Sequence, residues 1–288
     1  IAKLFDVPEG QPLPACDIRM GTTLATNALL ERRGEATGLL ITEGFADVLR
    51  IGDQTRPDLF ALRIERPDVP VHAVAEIRSR TGADGSVVMR ASREEIRAAL
   101  AELRARGATS LAVVLLHAYK NPELEQEVGE LAREAGFAHV ALSHEVVREI
   151  GLLARAGTTV LDAYVTPALA RYVDTLRAEL PGSRLRVMQS SGGLVDAALF
   201  RGRNALLSGP AGGVVACAHI ARERSLTQVI GLDMGGTSTD VCRFGGRFAH
   251  TFETEIAGLR VRAPSMDIHT VAAGGGSICR FDGQRLRV

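Results

Sequence analysis

The chain has 288 residues, 46 % hydrophobic and 24 % charged, enough for one large domain or two modest ones, which excludes a disordered chain, a collagen-like fibre and a coiled coil. Thirty-four Lys and Arg balance thirty-four Asp and Glu, so no net field draws nucleic acid or an anionic membrane, and 4 % aromatics without Trp supply no stacking platform for bases. No run approaches the roughly 20 apolar residues of a bilayer span, and Cys16, Cys217, Cys242 and Cys279 lack paired spacing, reading as reduced thiols of a cytoplasmic protein.

Short β-rich runs alternate with longer amphipathic ones, the pattern of an α/β domain. Residues 24–33 (LATNALLERR) predict a helix stopped by Gly34, and 37–42 (TGLLIT) a buried strand. Residues 71–80 and 86–90 flank the turn GADG and predict a hairpin. The polar, Pro-rich stretch 52–70 reads as a long functional loop or a solvated connector. Ser92 and Glu95 form a capping box for a helix over 93–106. A second buried strand covers 111–116 (LAVVLL), and Asn121–Pro122 opens a helix with Glu123 and Glu125 in its first turn, where the dipole favours acids. A short strand at 140–143, a long helix over 158–180 interrupted near Pro167, and a strand at 184–189 follow. The start at Ile1 is no signal peptide, and the closing FDGQRLRV reads as a hairpin arm, so the chain is expected to be part of a longer one.

Three glycine-rich segments occupy the last third. In IGLDMGGTSTDV (230–241) an apolar strand runs into Gly235, Gly236 and Thr237, and alternation resumes at Val241: strand, tight turn, strand. Glycines without Cβ let backbone N–H groups approach phosphate oxygens. Thr237 and Thr239 add hydroxyls, while Asp233 and Asp240 supply carboxylates suited to Mg²⁺ or an attacking water. No Walker loop or GxGxxG is present, and an Asx-type hairpin alone would account for the two glycines but not for Asp, Gly-Gly, Thr and Asp together. In LLSGPAGGVVACAHIARE (206–223) Gly209–Pro210 starts a helix whose small residues permit close packing. In DIHTVAAGGGSICRF (267–281) Gly274, Gly275 and Gly276 form either a further backbone cradle or a plain turn, and His269 is either an acid, base or metal ligand or a structural histidine.

A small-residue helix feeding an Asp-Gly-Gly-Thr hairpin resembles the connector helix and second phosphate loop of the actin, sugar-kinase and heat-shock ATPase superfamily. The ordered blocks RMGTTLATNALLERRGE, GFADVLRIGDQTRPDLFAL, VVLLHAYKNPELE, MQSSGGL, LSGPAGGVVA, GLDMGGTSTDV and HTVAAGGGSI resemble the hydantoinase A and 5-oxoprolinase family over nearly the whole chain. RMGTT, LLARAGTTVLDAYVTP and the ending VAAGGGSICRFDG look like its 5-oxoprolinase branch. The resemblance implies an α/β fold of actin-like ATPase (ribonuclease H-like) domains, incomplete at both ends. Residues 1–119 would be the N-terminal region without its first phosphate hairpin, and residues 120–288 the hydantoinase A-like region, with the connector near 205–225.

The resemblance also implies ATP and Mg²⁺ as cofactors and hydrolysis of 5-oxo-L-proline to L-glutamate coupled to ATP hydrolysis. Gly235, Gly236, Thr237, Thr239 and Gly274–Gly276 would hold the nucleotide. Asp233 and Asp240 would be catalytic, with Asp233 at the metal. Gly21, Thr22, Thr23 and Asn27, at a helix start, and Arg56 in QTRPDLF are substrate candidates, against local capping or a surface charge. Expected partners are a cyclic amide, a hydantoinase B-like subunit or domain and further copies of the full-length chain, with neither nucleic acid nor membrane. A hydantoinase A subunit, an acetone-carboxylase-type subunit and a non-catalytic nucleotide-binding module are the alternatives.

Overall fold

Strand β1 (Asp17–Met20) leads into the seven-residue helix α1 (Leu24–Leu30) and then into β2 (Thr37–Thr42), buried along its whole length. The computed structural model describes residues 6–8, 11, 14–55, 60, 62, 68–236, 238–256 and 259–287. Helix α2 (Val48–Ile51), β3 (Ala73–Ile77), the short strands β4 (Arg80–Thr81) and β5 (Val87–Met89), helix α3 (Arg93–Ala105), β6 (Ser110–Val114), α4 (Glu123–Glu134) and β7 (His139–Leu142) follow. Strands β3–β2–β6–β7 pair in that order, all parallel. Parallel strands covered on both faces read as unbroken apolar runs, which is what TGLLIT and SLAVV are.

One face of this sheet carries α3 and α4 through Leu40, Val113, Ile96, Leu100 and Leu131. The other packs Leu39, Ile41 and Val114 on α6 (Leu152–Glu179), which follows the single turn α5 (Ser143–Val146). Ser92 caps α3 as expected, its Oγ accepting the Glu95 N–H at 3.2 Å.

Two local expectations are corrected here. Residues 71–80 do not form one hairpin arm: Ala73–Ile77 joins the parallel sheet beside β2, and only Arg80–Thr81 pairs with β5 across the GADG turn. The apolar alternation of Ala73, Ala75 and Ile77 finds more burial there than a two-stranded ribbon offers. Helix α6 is not interrupted at Pro167 but runs through it for 28 residues. Proline removes the N–H that would bond the Ala163 carbonyl, and Ser110 Oγ donates to that carbonyl instead, at 2.7 Å, from the adjacent strand.

Beyond α6, β8 (Arg184–Met188) pairs parallel with β1 and antiparallel with β9 (Leu194–Asp196). Helix α7 (Ser208–Glu223) then leads to β10 (Val229–Met234) and β11 (Thr239–Phe244). After β12 (His250–Thr251) comes the hairpin β13 (Thr254–Ile256) and β14 (Leu259–Val261). Strand β15 (Ser265–Met266) pairs with β12, and β16 (Ile268–Val271) closes the antiparallel sheet β10–β11–β16. A last hairpin joins β17 (Arg280–Phe281) to β18 (Leu286–Arg287).

Strand β14 lies directly on α6, where a Cβ at Gly157 would stand 2.5 Å from the Arg260 carbonyl and Thr158 Oγ1 accepts the Arg262 N–H at 2.8 Å. Strand β10 is an edge, with Ile230, Leu232 and Met234 exposed. Residues 202–223 form a helical stretch long and apolar enough, by length and composition, to cross a membrane, against the expectation that no run approaches such a span. Helix α7 packs on β8, β10, β11 and β15, burying Ala211, Val214, Ala218 and Ala221.

Candidate functional site

The DMGGTSTD turn is the expected hairpin. Strands β10 and β11 pair antiparallel, with Asp233 opposite Asp240 and Met234 opposite Thr239, and the Gly235 N–H closes the turn on the Ser238 carbonyl at 2.9 Å. The Asp233 carboxylate is exposed and has no hydrogen-bond or ion-pair partner among the described residues. Asp240 is partly covered, and its Oδ1 accepts the Thr270 hydroxyl at 2.6 Å. A Cβ at Gly236 would meet open space. Thr237 lies outside the described residues.

The glycine triplet sits against this turn, with its donors already engaged. Gly275 N–H bonds the Gly235 carbonyl (2.9 Å), Gly276 N–H the Gly236 carbonyl (2.8 Å), and Gly274 N–H the Ser277 hydroxyl (2.9 Å). The Thr239 hydroxyl likewise donates to the Ala273 carbonyl at 2.6 Å. Gly274–Gly276 therefore brace the hairpin in this structure and do not present free amides as a second cradle. The close approach explains the glycines: a Cβ at Gly274 would stand 2.6 Å from the Gly235 carbonyl oxygen. His269 lies exposed on β16 opposite Val241. Among the described residues no cluster of three or more His, Cys, Asp or Glu side chains forms a metal-binding group. All four cysteines are free thiols, and burial raises the pKa of Cys242 beside Cys217.

Helix α7 carries the upstream motif to the same region. The Thr22 N–H donates to Ser208 Oγ (3.1 Å), and a Cβ at Gly209 would press on Thr23 Cγ2 at 2.8 Å. Thr26 Oγ1 bonds the Leu206 carbonyl, and Asn27 Nδ2 reaches Thr23 Oγ1 at 3.4 Å. One turn further along α7, the Cβ position of Gly213 lies 4.0 Å from Asp233 Oδ2. Gly21, Thr22 and Thr23 thus pack on the start of α7, and the hairpin carboxylate lies beside its second turn. Arg56 lies outside the described residues. At the described start of its loop, Asp53 accepts the Thr55 N–H (3.1 Å) and pairs with Arg260, contacts that lower its pKa, the Thr55 hydrogen bond most.

Two features escape a reading by local pattern. Glu125 does not ornament the first turn of α4 but is fully buried. It accepts Leu115 N–H (2.8 Å), Ser143 Oγ (2.6 Å), His144 N–H (3.0 Å) and His144 Nδ1 (2.7 Å), tying β6, α4 and α5 together. Ser190 is also fully buried. Its N–H bonds the Asn204 carbonyl (2.7 Å), its hydroxyl accepts the Leu207 N–H (3.0 Å), and its carbonyl accepts the Met266 N–H (2.8 Å), joining the β8 loop, the start of α7 and β15. Helical period flags Glu125 only as an acid, and nothing local marks which of the serines in QSSGG turns inward.

These elements make a mixed α/β chain in which a glycine hairpin is braced by a second glycine turn and abutted by a small-residue helix. Residues 12–136 match the Hydantoinase/oxoprolinase N-terminal region and residues 155–288 match Hydantoinase/oxoprolinase. The chain belongs to the hydantoinase/oxoprolinase family. It is 42 % identical to the 5-oxoprolinase of Saccharomyces cerevisiae across 98 % of its own length, and spans 25 % of that relative. The ATP-dependent caprolactamase of Pseudomonas jessenii superposes with a TM-score of 0.77 at 32 % identity, over 92 % of this chain and 40 % of that one. A nucleotide-free acetone carboxylase shares the fold with a TM-score of 0.78 at 24 % identity, over 93 % of this chain and 41 % of that one. The α/β, actin-like ATPase class expected from the sequence is thus the fold observed.

Proposed function

We propose that the intact protein couples ATP hydrolysis to the opening of a cyclic amide, with 5-oxo-L-proline as substrate and L-glutamate as product. The observation that carries this reading is the 42 % identity to a named 5-oxoprolinase over nearly the whole chain. A lactam is a poor electrophile, and phosphoryl transfer from ATP to its amide oxygen would give an imidate-like phosphate that water attacks. The ring nitrogen would then leave as the amine, and hydrolysis of the resulting acyl phosphate would release phosphate and L-glutamate. The residues present suit a nucleotide. Gly236 has space beside it, and its N–H has no partner among the described residues, so it can meet a phosphate oxygen. Asp233 lies beside α7, its carboxylate without a partner among the described residues.

Mg²⁺ is held in such sites by one or two carboxylates together with the phosphates, so the lack of a larger acidic cluster is compatible with it. In this proposal Asp233 would hold the metal or orient the attacking water, Asp240 would be fixed by Thr270, and Gly274–Gly276 would keep the hairpin in shape. A hydantoinase B-like partner, assembly into oligomers and a cytoplasmic setting belong to the same reading.

The test is ATP-dependent glutamate release by the intact protein. Asp233→Ala is expected to lower turnover by about 100-fold or more, the scale of losing a group that acts on the transition state, with the thermal midpoint retained. Near-normal turnover would remove Asp233 from the mechanism. Absence of glutamate release by the unaltered protein, with ADP release on hydantoins or ketones instead, would replace the substrate.

A further inference from the structure

A cavity of about 390 Å³ opens between the α5–α6 junction, the loop after β8 and the turn from β14 to β15. That volume lies in the range of small-molecule sites. Its polar walls are Arg148, Glu149, Gln189, Ser191, Arg203, Asn204 and Arg262, the one carboxylate among them, Glu149, being paired with Arg262, and they differ in what they already bind. Arg262 is engaged, held between Glu149 (2.9 Å) and Glu253 (2.9 Å); these bonds, that to Glu149 foremost, raise its pKa. Arg148 donates Nε to the Tyr119 carbonyl (3.1 Å) from an exposed position at the rim. Arg203 is partly buried, makes one long side-chain bond to the Glu145 carbonyl (3.5 Å), and has no carboxylate partner among the described residues. The carboxamides of Gln189 and Asn204 and the hydroxyl of Ser191 have no protein partner among the described residues either.

These partly covered donors and acceptors are left available to a ligand that enters the cavity. The frame that presents them is stiff. Arg203 N–H is pinned to Asp162 Oδ1 (3.0 Å), the Asn204 carbonyl accepts both N–H and Oγ of buried Ser190 (2.7 and 3.0 Å), and Gln189 N–H closes on Gly193 (2.7 Å). Leu207, whose N–H is held by Ser190, caps α7, and Met266, held by the same residue, lies two positions before β16. The cavity and the glycine hairpin therefore share one scaffold.

We infer that this cavity receives the substrate and selects a cyclic amide that carries a carboxylate. The guanidinium fork of Arg203 matches a carboxylate in a bidentate pair. The carboxamides of Gln189 and Asn204 each offer a donor and an acceptor, the complement of a ring C=O and N–H. A carboxylate-free lactam would use the carboxamides alone. This rests on the cyclic-amide reading above and goes beyond it by naming the residue that distinguishes acidic from neutral rings.

Equilibrium dialysis on the intact protein, without nucleotide, measures binding of 5-oxo-L-proline and of the carboxylate-free ring 2-pyrrolidinone. Arg203→Gln is expected to weaken 5-oxo-L-proline about 10- to 100-fold, the scale of a charge-assisted pair, and to leave 2-pyrrolidinone unchanged. Arg203→Lys should recover part of the loss. Retained 2-pyrrolidinone binding also shows that the variant is folded. Equal binding of 5-oxo-L-proline by wild type and Arg203→Gln, equal loss of both rings, or binding of neither ring by the wild type would each overturn the inference. Arg203-dependent binding without ATP-dependent glutamate release would sustain the cavity and overturn the proposed reaction; glutamate release with an unchanged KM in Arg203→Gln would do the reverse.

Discussion

Gly274→Ala tests whether the third glycine segment braces the hairpin. The added Cβ would lie 2.6 Å from the Gly235 oxygen, 2.7 Å from the Gly236 carbonyl carbon and 2.8 Å from its oxygen, all backbone atoms that cannot swing aside. The triplet must therefore lift, breaking the Gly275-to-Gly235 and Gly276-to-Gly236 hydrogen bonds. At about 0.5–1.5 kcal/mol each, the two bonds amount to about 1–3 kcal/mol. The lower backbone entropy of alanine in the unfolded chain offsets about 0.4–1 kcal/mol of this. Gly275→Ala is the control, because its Cβ would lie 3.7 Å from the same oxygen, an ordinary contact, and Gly275 has no positive φ. Urea denaturation should show Gly274→Ala destabilised and Gly275→Ala neutral or slightly stabilised. Hydrogen exchange should quicken at the Gly275 and Gly276 amides in Gly274→Ala alone. If the hairpin holds phosphate, nucleotide affinity should fall about tenfold for each 1.4 kcal/mol by which the turn is displaced. Equal stability and equal exchange in the two variants would refute the bracing argument.

Ser110→Ala should cost about 1–3 kcal/mol in urea denaturation, because it strands the Ala163 carbonyl in the core. Adding Pro167→Ala should recover part of that loss by restoring an N–H in the helix ladder, and no recovery would show that the serine acts by packing alone. Glu35 has its pKa lowered: burial pushes it up, but hydrogen bonds from Arg171 and Thr109 more than reverse this. Its contribution is therefore present above the ordinary value of 4.5 and is lost as pH falls through the lower native value. Glu35→Gln should reduce stability at neutral pH and make the acid limb shallower, measured as urea midpoints at pH about 7 and about 3; parallel acid limbs would contradict the assignment.

The sequence by itself determined the features whose causes lie within a few residues. Ser92 caps α3 because its hydroxyl reaches an N–H three positions on, and TGLLIT and SLAVV become buried parallel strands because their apolar runs leave no polar face. The DMGGTSTD hairpin forms where two glycines separate alternating segments, and enough ordered motifs surround it to identify the family. Tertiary structure decided whatever depends on a partner distant in the chain. Ala73–Ile77 could pair with β5 or β2, and the larger buried sheet won. Pro167 breaks a helix unless another segment takes the stranded carbonyl, and Ser110, 57 positions earlier, does so. Glu125 reads as a helix-start acid until β6 and α5 bring donors around it. Glycine triplets can present amides or consume them, and only the approach of Gly235 and Gly236 makes Gly275 and Gly276 donors to the hairpin. Arg203 carries no local signal, and its place beside the cavity follows from the packing of loops that Ser190 draws together from distant stretches of chain. Local chemistry chooses among backbone conformations, whereas long-range packing decides which donors and acceptors are left for a ligand.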